Sequence, residues 1–238
     1  MVESTAQDDW RQLAADPVVA TCEYSFGPGS ANALLVGIAG GVAIISPPRG
    51  AVDSICSAAR SFGEVRALVA PNAFHHMGLA AWKERFPQAQ VYAPAQSIAR
   101  VSAKSGIAGI RPVSEAAALF GDRVTLTDMP HYKTGEALVR IRTGGGLAWY
   151  VTDAIFNMTR LPDHPVASFV FRAARSAPGL RLNRVAPIFM VKDRAALWRW
   201  LKAEAERDAP RWLIPAHGAV LDQSAQPDRL RALFAEVR

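Results

Sequence analysis

Three short apolar runs in this chain each end in a residue that can bind a metal or move a proton. Leu68-Val69-Ala70 leads through Pro71-Asn72-Ala73-Phe74 to His75 and His76; Leu147 to Val151 leads to Asp153; Trp212 to Ala216 leads to His217 and Gly218. Uninterrupted apolar runs of this length fit strands buried on both faces. A polar residue at the end of such a strand emerges at the rim of a sheet, where α/β scaffolds place their sites. The chain has only five histidines, and three of them sit at two of these strand ends. The fold must therefore bury several strands and can bring their ends together.

The bulk composition supports a folded domain and excludes several classes. The chain has 238 residues, half of them hydrophobic, which is enough for one large core. Charged residues make up 20%, too few for a disordered chain. The net charge of +6 is spread along the sequence with no Lys/Arg block and no basic–aromatic alternation. That pattern argues against nucleic acid and fits a small-molecule substrate or ligand, with an anionic one favoured by the charge. The longest strongly apolar run, Ala33 to Ile45, is too short to span a bilayer and is interrupted by Gly37, Gly40 and Gly41, so no membrane partner is expected. Met1 to Asp16 is polar and acidic, unlike a signal peptide. The two cysteines, Cys22 and Cys56, form no CxxC and read as buried thiols, in keeping with a cytoplasmic protein.

Strands are predicted over 22–26, 32–36, 42–45, 65–70, 90–93, 123–127, 137–143, 147–152 and 213–215. Helices are predicted over 51–62, from 76 or later to 86, over 94–105, near 166–176, over 193–207 with Asp193 as N-cap, and over 227–237. The later strands, separated by Gly135 and Gly144-Gly145-Gly146, read as a meander. Strands interleaved with helices make the class α/β (α+β), and two strand groups suggest two sheets face to face with helices outside. We expect one domain over 1–238, with 1–20 as an N-terminal extension.

The order strand–histidine, strand–aspartate, strand–Ala-His-Gly resembles the metallo-β-lactamase superfamily over roughly residues 21–220. The resemblance implies a four-layer αββα sandwich. The family motif Thr-His-x-His-x-Asp-His-x-Gly, set with its glycine on Gly78, puts its last histidine on His76 and its aspartate on His75. Its two earlier histidines fall on Pro71 and Ala73. Its bridging aspartate matches Asp153, its final histidine matches His217, and its intermediate histidine matches His131. Ser46 stands where many members carry an acidic residue.

Pro71 and Ala73 cannot ligate, so the first of the family's two metal sites is lost. The second retains candidate ligands in His75, His76, Asp153 and His217, a set that suits one zinc or iron ion. If all four bind, the site is closed and structural; if three bind, a position stays open for chemistry. Adjacent histidines on a strand point to opposite faces, so His75 and His76 can both ligate only from a loop or a helix entry. Competing roles are ordinary: helix capping for His75 and His76, a turn for Asp153, loop hydrogen bonds for His217. His131 is placed near the site and His164 in a proline-framed loop. Arg160, Arg172, Arg175, Arg181 and Arg184 read as a solvated face that could meet an anionic ligand. The expected function is a metal-dependent hydrolase of a small ester, thioester, lactone or phosphoester. The alternative is a catalytically inactive member that binds a ligand or partner without metal.

Overall fold

The computed structural model describes residues 10–26, 29–50, 53–161, 163–185, 187–235 and 237. The first sheet is built in chain order from β1 (Arg11–Ala15), β2 (Val18–Ser25), β3 (Ser30–Ile38), β4 (Gly41–Ile45), β5 (Val65–Val69), β6 (Gln90–Ala93) and β7 (Arg111–Pro112). The first four pair antiparallel, and β4, β5, β6 and β7 pair parallel. Parallel strands need crossovers, which α1 (Asp53–Ser61), α2 (Leu79–Arg85) and α3 (Ile98–Ser105) provide. A short α4 (Ala117–Phe120) leads into the second sheet.

That sheet takes β8 (Val124–Asp128), β9 (Ala137–Thr143) and β10 (Gly146–Val151) as the expected meander. A ribbon follows, β11 (Ile155–Met158) paired with β12 (Gly179–Leu182), with α5 (Pro165–Ala173) between them. Next come α6 (Pro187–Met190) and α7 (Arg194–Asp208), then β13 (Trp212–Pro215), β14 (Leu221–Asp222) and α8 (Arg229–Ala235). β13 returns to lie parallel to β10, so the second sheet runs β14-β13-β10-β9-β8. Asp193 caps α7 as expected, accepting from the Ala196 N–H at 2.9 Å.

Alternation along the strands creates the layers, because successive side chains point to opposite faces. On β3, Leu34 and Val36 join Val139, Ile141, Tyr150 and Ile214 in a cluster between the two sheets. Ala33 and Leu35 face the other way and pack with Ile55, Trp82 and Val101 of α1, α2 and α3. Beyond the second sheet, Leu138, Trp149 and Leu213 meet Leu197 and Leu201 of α7 and Leu230 and Phe234 of α8. Three apolar layers between four structural ones make an αββα sandwich. Each fully buried leucine or isoleucine in them contributes roughly 1.5–3 kcal/mol of transfer free energy.

Two expectations change. Residues 11–20 are not an extension: β1 and the start of β2 form the edge of the first sheet, and Trp10 reaches the core by donating from Nε1 to the Ile55 carbonyl at 3.1 Å. Residues 1–9 of the expected extension, and positions 51 and 52 of the first predicted helix, lie outside the described residues. The β11–β12 ribbon lies outside the strands predicted from the sequence. Cys22 and Cys56 are buried without a disulfide in the helix-side core. Among the described residues no helix is long and apolar enough to cross a membrane.

Candidate metal centre

The three strand ends meet at one rim of the sandwich. β10 and β13 run parallel with Val151 opposite Pro215, so Asp153 and His217 leave the second sheet at the same level. His75 comes from the first sheet, beyond β5. The sheets are bound together here by Asn32, whose Nδ2 donates to the carbonyls of Pro215 at 2.8 Å and Gly218 at 2.7 Å. The Tyr150 hydroxyl donates to the Asn32 carbonyl at 2.8 Å from the other side.

His217 Nε2 lies 3.4 Å from Asp153 Oδ1, and His75 Nε2 lies 3.8 Å from the same oxygen. One ligand atom from each of the three residues falls within 4.8 Å of the other two. Both rings are anchored at their far nitrogens. The Ser30 carbonyl lies 3.0 Å from His217 Nδ1, and since a carbonyl only accepts, Nδ1 carries the proton. Nε2, which can hydrogen-bond Asp153 only while it carries a proton, is then the nitrogen that a metal ion would take in the neutral ring. His75 Nδ1 lies 2.7 Å from Ser46 Oγ, which is in turn 3.0 Å from the Tyr24 hydroxyl. Ser46 adopts φ of 56°, a left-handed conformation that non-glycine residues rarely adopt.

The far side of Asp153 is held by a buried polar cluster. Asn72 Nδ2 donates to Asp153 Oδ2 at 2.7 Å and to Glu136 Oε2 at 3.0 Å. Glu136 Oε1 accepts the Asp153 backbone N–H at 3.1 Å, and Asn183 Nδ2 donates to the Asp153 carbonyl at 2.8 Å. Burial alone would raise the Asp153 pKa, but hydrogen bonds and charge from His217 and His75 outweigh it and hold the carboxyl below its ordinary value. Glu136 goes the other way. Burial and then the Asp153 charge push it well above the usual carboxylate range, against the opposing Asn72 bond. Two adjacent carboxyls thus separate into an anion that can ligate and an acid that tends to keep its proton.

His76 is not part of the cluster, a correction to the four-residue set. The Asn72 Oδ1 accepts the N–H groups of Phe74 at 2.8 Å and His75 at 2.9 Å, forming a tight turn. That turn buries His75 and leaves its neighbour partly exposed. His76 is half-buried within reach of the charges of Arg100 and Lys104 on α3; burial first, then Arg100, lowers its pKa. His131 is also displaced: it is exposed at φ of 67°, and its carbonyl accepts the Lys192 N–H at 2.7 Å. The next residue, Tyr132, points inward instead. It is buried close enough to Glu136 and Asp153 for their charges to add to burial in raising its pKa. His164 caps α5, accepting the Ala167 N–H at 3.5 Å.

Pro71 and Ala73, the positions set against the motif's first two histidines, make structural bonds. The Pro71 carbonyl accepts the Ala137 N–H at 2.8 Å, stitching the two sheets together, and the Ala73 carbonyl accepts Arg100 Nε at 3.2 Å. Sequence reasoning missed Glu136 and the Asn72 amide. The only local signal was an acidic residue directly after Gly135, at the start of an apolar strand.

Phe26 and Phe156 pack edge-on against His217, at ring distances of 5.8 and 5.1 Å, and Phe171 of α5 stacks on Phe156 at 5.9 Å. Gly218 lets the backbone of β11 cross directly behind His217. A Cβ there would sit 2.0 Å from the Asn157 carbonyl oxygen, at φ of 105°. Gly218→Ala should therefore destabilise the protein by at least about 2 kcal/mol in urea unfolding, since it combines a backbone clash with a disfavoured φ.

No protein-family model matches this sequence, and no curated protein matches it. Solved structures do. A metallo-β-lactamase from Pontibacter korlensis aligns over 96% of this chain and 99% of its own, with a TM-score of 0.62 at 12% identity. The metallo-β-lactamase FIM-1 from Pseudomonas aeruginosa, in a mono-zinc form, aligns over 97% and 96% with a TM-score of 0.59 at 17% identity. A flavo di-iron protein from Thermotoga maritima aligns over 95% of this chain and 60% of its own, with a TM-score of 0.64 at 12% identity. The protein therefore has the metallo-β-lactamase fold. Within that fold it combines two histidines and one aspartate at the strand ends with proline and alanine where the motif's first two histidines would stand.

Proposed function

We propose that this protein is a metal-dependent hydrolase with a single ion held by His75, Asp153 and His217. The observation that carries the reading is the double anchoring of the imidazoles, which leaves both Nε2 atoms facing one carboxylate oxygen. Zinc with ligand distances of about 2.0–2.1 Å in a tetrahedron needs ligand atoms about 3.3 Å apart. The 3.4 Å separation of His217 from Asp153 is close to that edge, and the 3.8 Å separation of His75 needs only a few tenths of an ångström of closure. Two imidazoles and a carboxylate suit zinc or iron. The solved neighbour in a mono-zinc form shows that this fold can hold one zinc.

When bound, such an ion supplies Lewis acidity toward a carbonyl or phosphoryl group and lowers the pKa of water in its open position. The protein's own groups do the rest. Asn72 and Glu136 hold the Asp153 carboxylate in one orientation, Ser30 fixes the His217 tautomer, and Phe26 and Phe156 shield the imidazole from water. With three protein ligands the site is open, which fits catalysis better than a structural staple. The substrate class is a small ester, thioester, lactone or phosphoester. A second reading, ligand binding without metal, draws support from Pro71 and Ala73, whose carbonyls are committed to structural bonds.

A panel of nitrophenyl esters, a thioester, a lactone and a phosphodiester separates the two. The expected result is turnover of at least one substrate by zinc- or iron-loaded protein, abolished by chelation and restored by metal. Absence of turnover of every substrate by protein carrying a full equivalent of metal would sink the hydrolase reading, and failure to take up an equivalent of metal would favour the second.

A further inference from the structure

We infer that the protein has a second ligand site, an arginine-lined pocket that binds a soluble oligophosphate ester of nucleotide size. It lies between β12, the end of α5 and α8, and it does not depend on the metal reading. The cavity measures about 620 Å³ and is lined by Arg172, Arg175, Arg181, Arg184 and Arg229, with no carboxylate among its lining residues. That volume suits a small-molecule ligand.

The gathering of arginines without a carboxylate is what marks the cavity. Several arginines elsewhere face a carboxylate: Arg111 with Glu115, Arg123 with Asp16, Arg140 with Glu204 and Asp208, Arg211 with Asp222. Among the described residues no carboxylate pairs with Arg172, Arg175, Arg181 or Arg229. Like charges gathered around one cavity repel one another, and a multiply charged anion offsets that cost. Guanidinium groups match phosphate oxygens with paired, charge-assisted hydrogen bonds.

The backbone also presents these groups in a set arrangement. Arg175 stands at φ of 53°, left-handed for a non-glycine residue. The buried Ser176 beside it holds that turn: its N–H donates to the Phe171 carbonyl at 2.9 Å, and its hydroxyl accepts the Arg184 N–H at 2.9 Å. The turn that ends α5 is thereby tied to the chain leaving β12, which fixes the two arginine-bearing segments relative to each other. Leu180 and Leu233 add apolar wall, so the occupant carries an apolar or aromatic body as well as phosphates.

The test is calorimetric titration of the full chain with ADP at low salt and without divalent ions, with adenosine as the uncharged comparison. We expect one saturable ADP site, no adenosine binding at the same concentrations, and a loss of at least about tenfold in affinity in R175Q/R181Q, since the variant removes two guanidinium partners of the phosphates. Should that variant fail to fold, R181Q/R229Q carries the same expectation. The pair R11Q/R199Q lowers the net charge equally, away from the pocket, and should leave affinity within about twofold. His217→Ala should bind ADP as the wild type does. The proposal is overturned by absence of saturable ADP binding, by equal weakening in R11Q/R199Q, or by loss in His217→Ala, which would put the phosphates at the metal centre. Retention on phosphatidylserine vesicles without ADP binding would also overturn it, because the arginines would then be reading a membrane surface.

Discussion

Replacing His217 with alanine should strip the protein of metal. Wild-type protein should retain about one equivalent of zinc or iron after purification and reconstitution, and His217→Ala less than about a tenth of one, since two protein ligands rarely hold such an ion. His76→Ala should keep its full equivalent. These two histidines have very different surroundings. His217 has its Nδ1 bound to the Ser30 carbonyl and its Nε2 on Asp153, while His76 sits beside Arg100 and Lys104, whose charges repel a cation. Ser46→Ala is the graded case. It leaves all three ligands but removes the hydroxyl that orients His75, so affinity should fall about 10–100-fold in competition with a chelator of known strength. Elemental analysis of the purified variants reads the first two outcomes. Loss of metal from His76→Ala together with full retention in His217→Ala would show the ligand set to be wrong.

The parts of this arrangement that could be read from sequence are those written in local pattern. β5, β10 and β13 are apolar runs with polar ends, and the residues just past them, Asp153 and His217, emerge where such strands stop. The choice between His75 and His76 was not readable, because it depends on which backbone N–H groups the Asn72 side chain accepts. Glu136 was hidden for a similar reason. It opens a buried strand, and what makes its burial tolerable is an amide 64 positions earlier. The one-residue exchange of His131 for Tyr132 follows from a left-handed backbone at 131 that no composition rule marks. β11 and β12 escaped notice because each is held by the other across α5. Phe156 pairs with Arg181, a combination with no strand signature of its own.

Asn72→Asp should be the most destabilising single substitution in the polar cluster, and its cost should grow with pH. The Asn72 amide donates to two carboxyl groups, Glu136 and Asp153, while its oxygen accepts two backbone N–H groups. An aspartate keeps the acceptor and loses both donors, placing a third acid among two that are already buried. The expected loss is about 3–5 kcal/mol at neutral pH, the range seen when a buried charge is left without its partner. Asn72→Ala loses the same bonds without adding charge and should cost less. The sign with pH follows from Glu136, whose pKa in the folded protein is raised by burial and by Asp153. Between its unfolded and folded values the native state holds the extra proton, so stability falls as pH rises through that window. Asp153 has a lowered pKa, and its contribution is lost only as pH falls below the ordinary carboxylate range, outside the window that matters here. A further buried acid at position 72 steepens the first trend. Urea unfolding in the presence of a chelator should show the gap between wild type and Asn72→Asp widening from about pH 5 to about pH 8, with the Asn72→Ala gap nearly flat. A gap that narrows toward alkaline pH would mean that Glu136 is ionised in the native protein and held by donors other than Asn72.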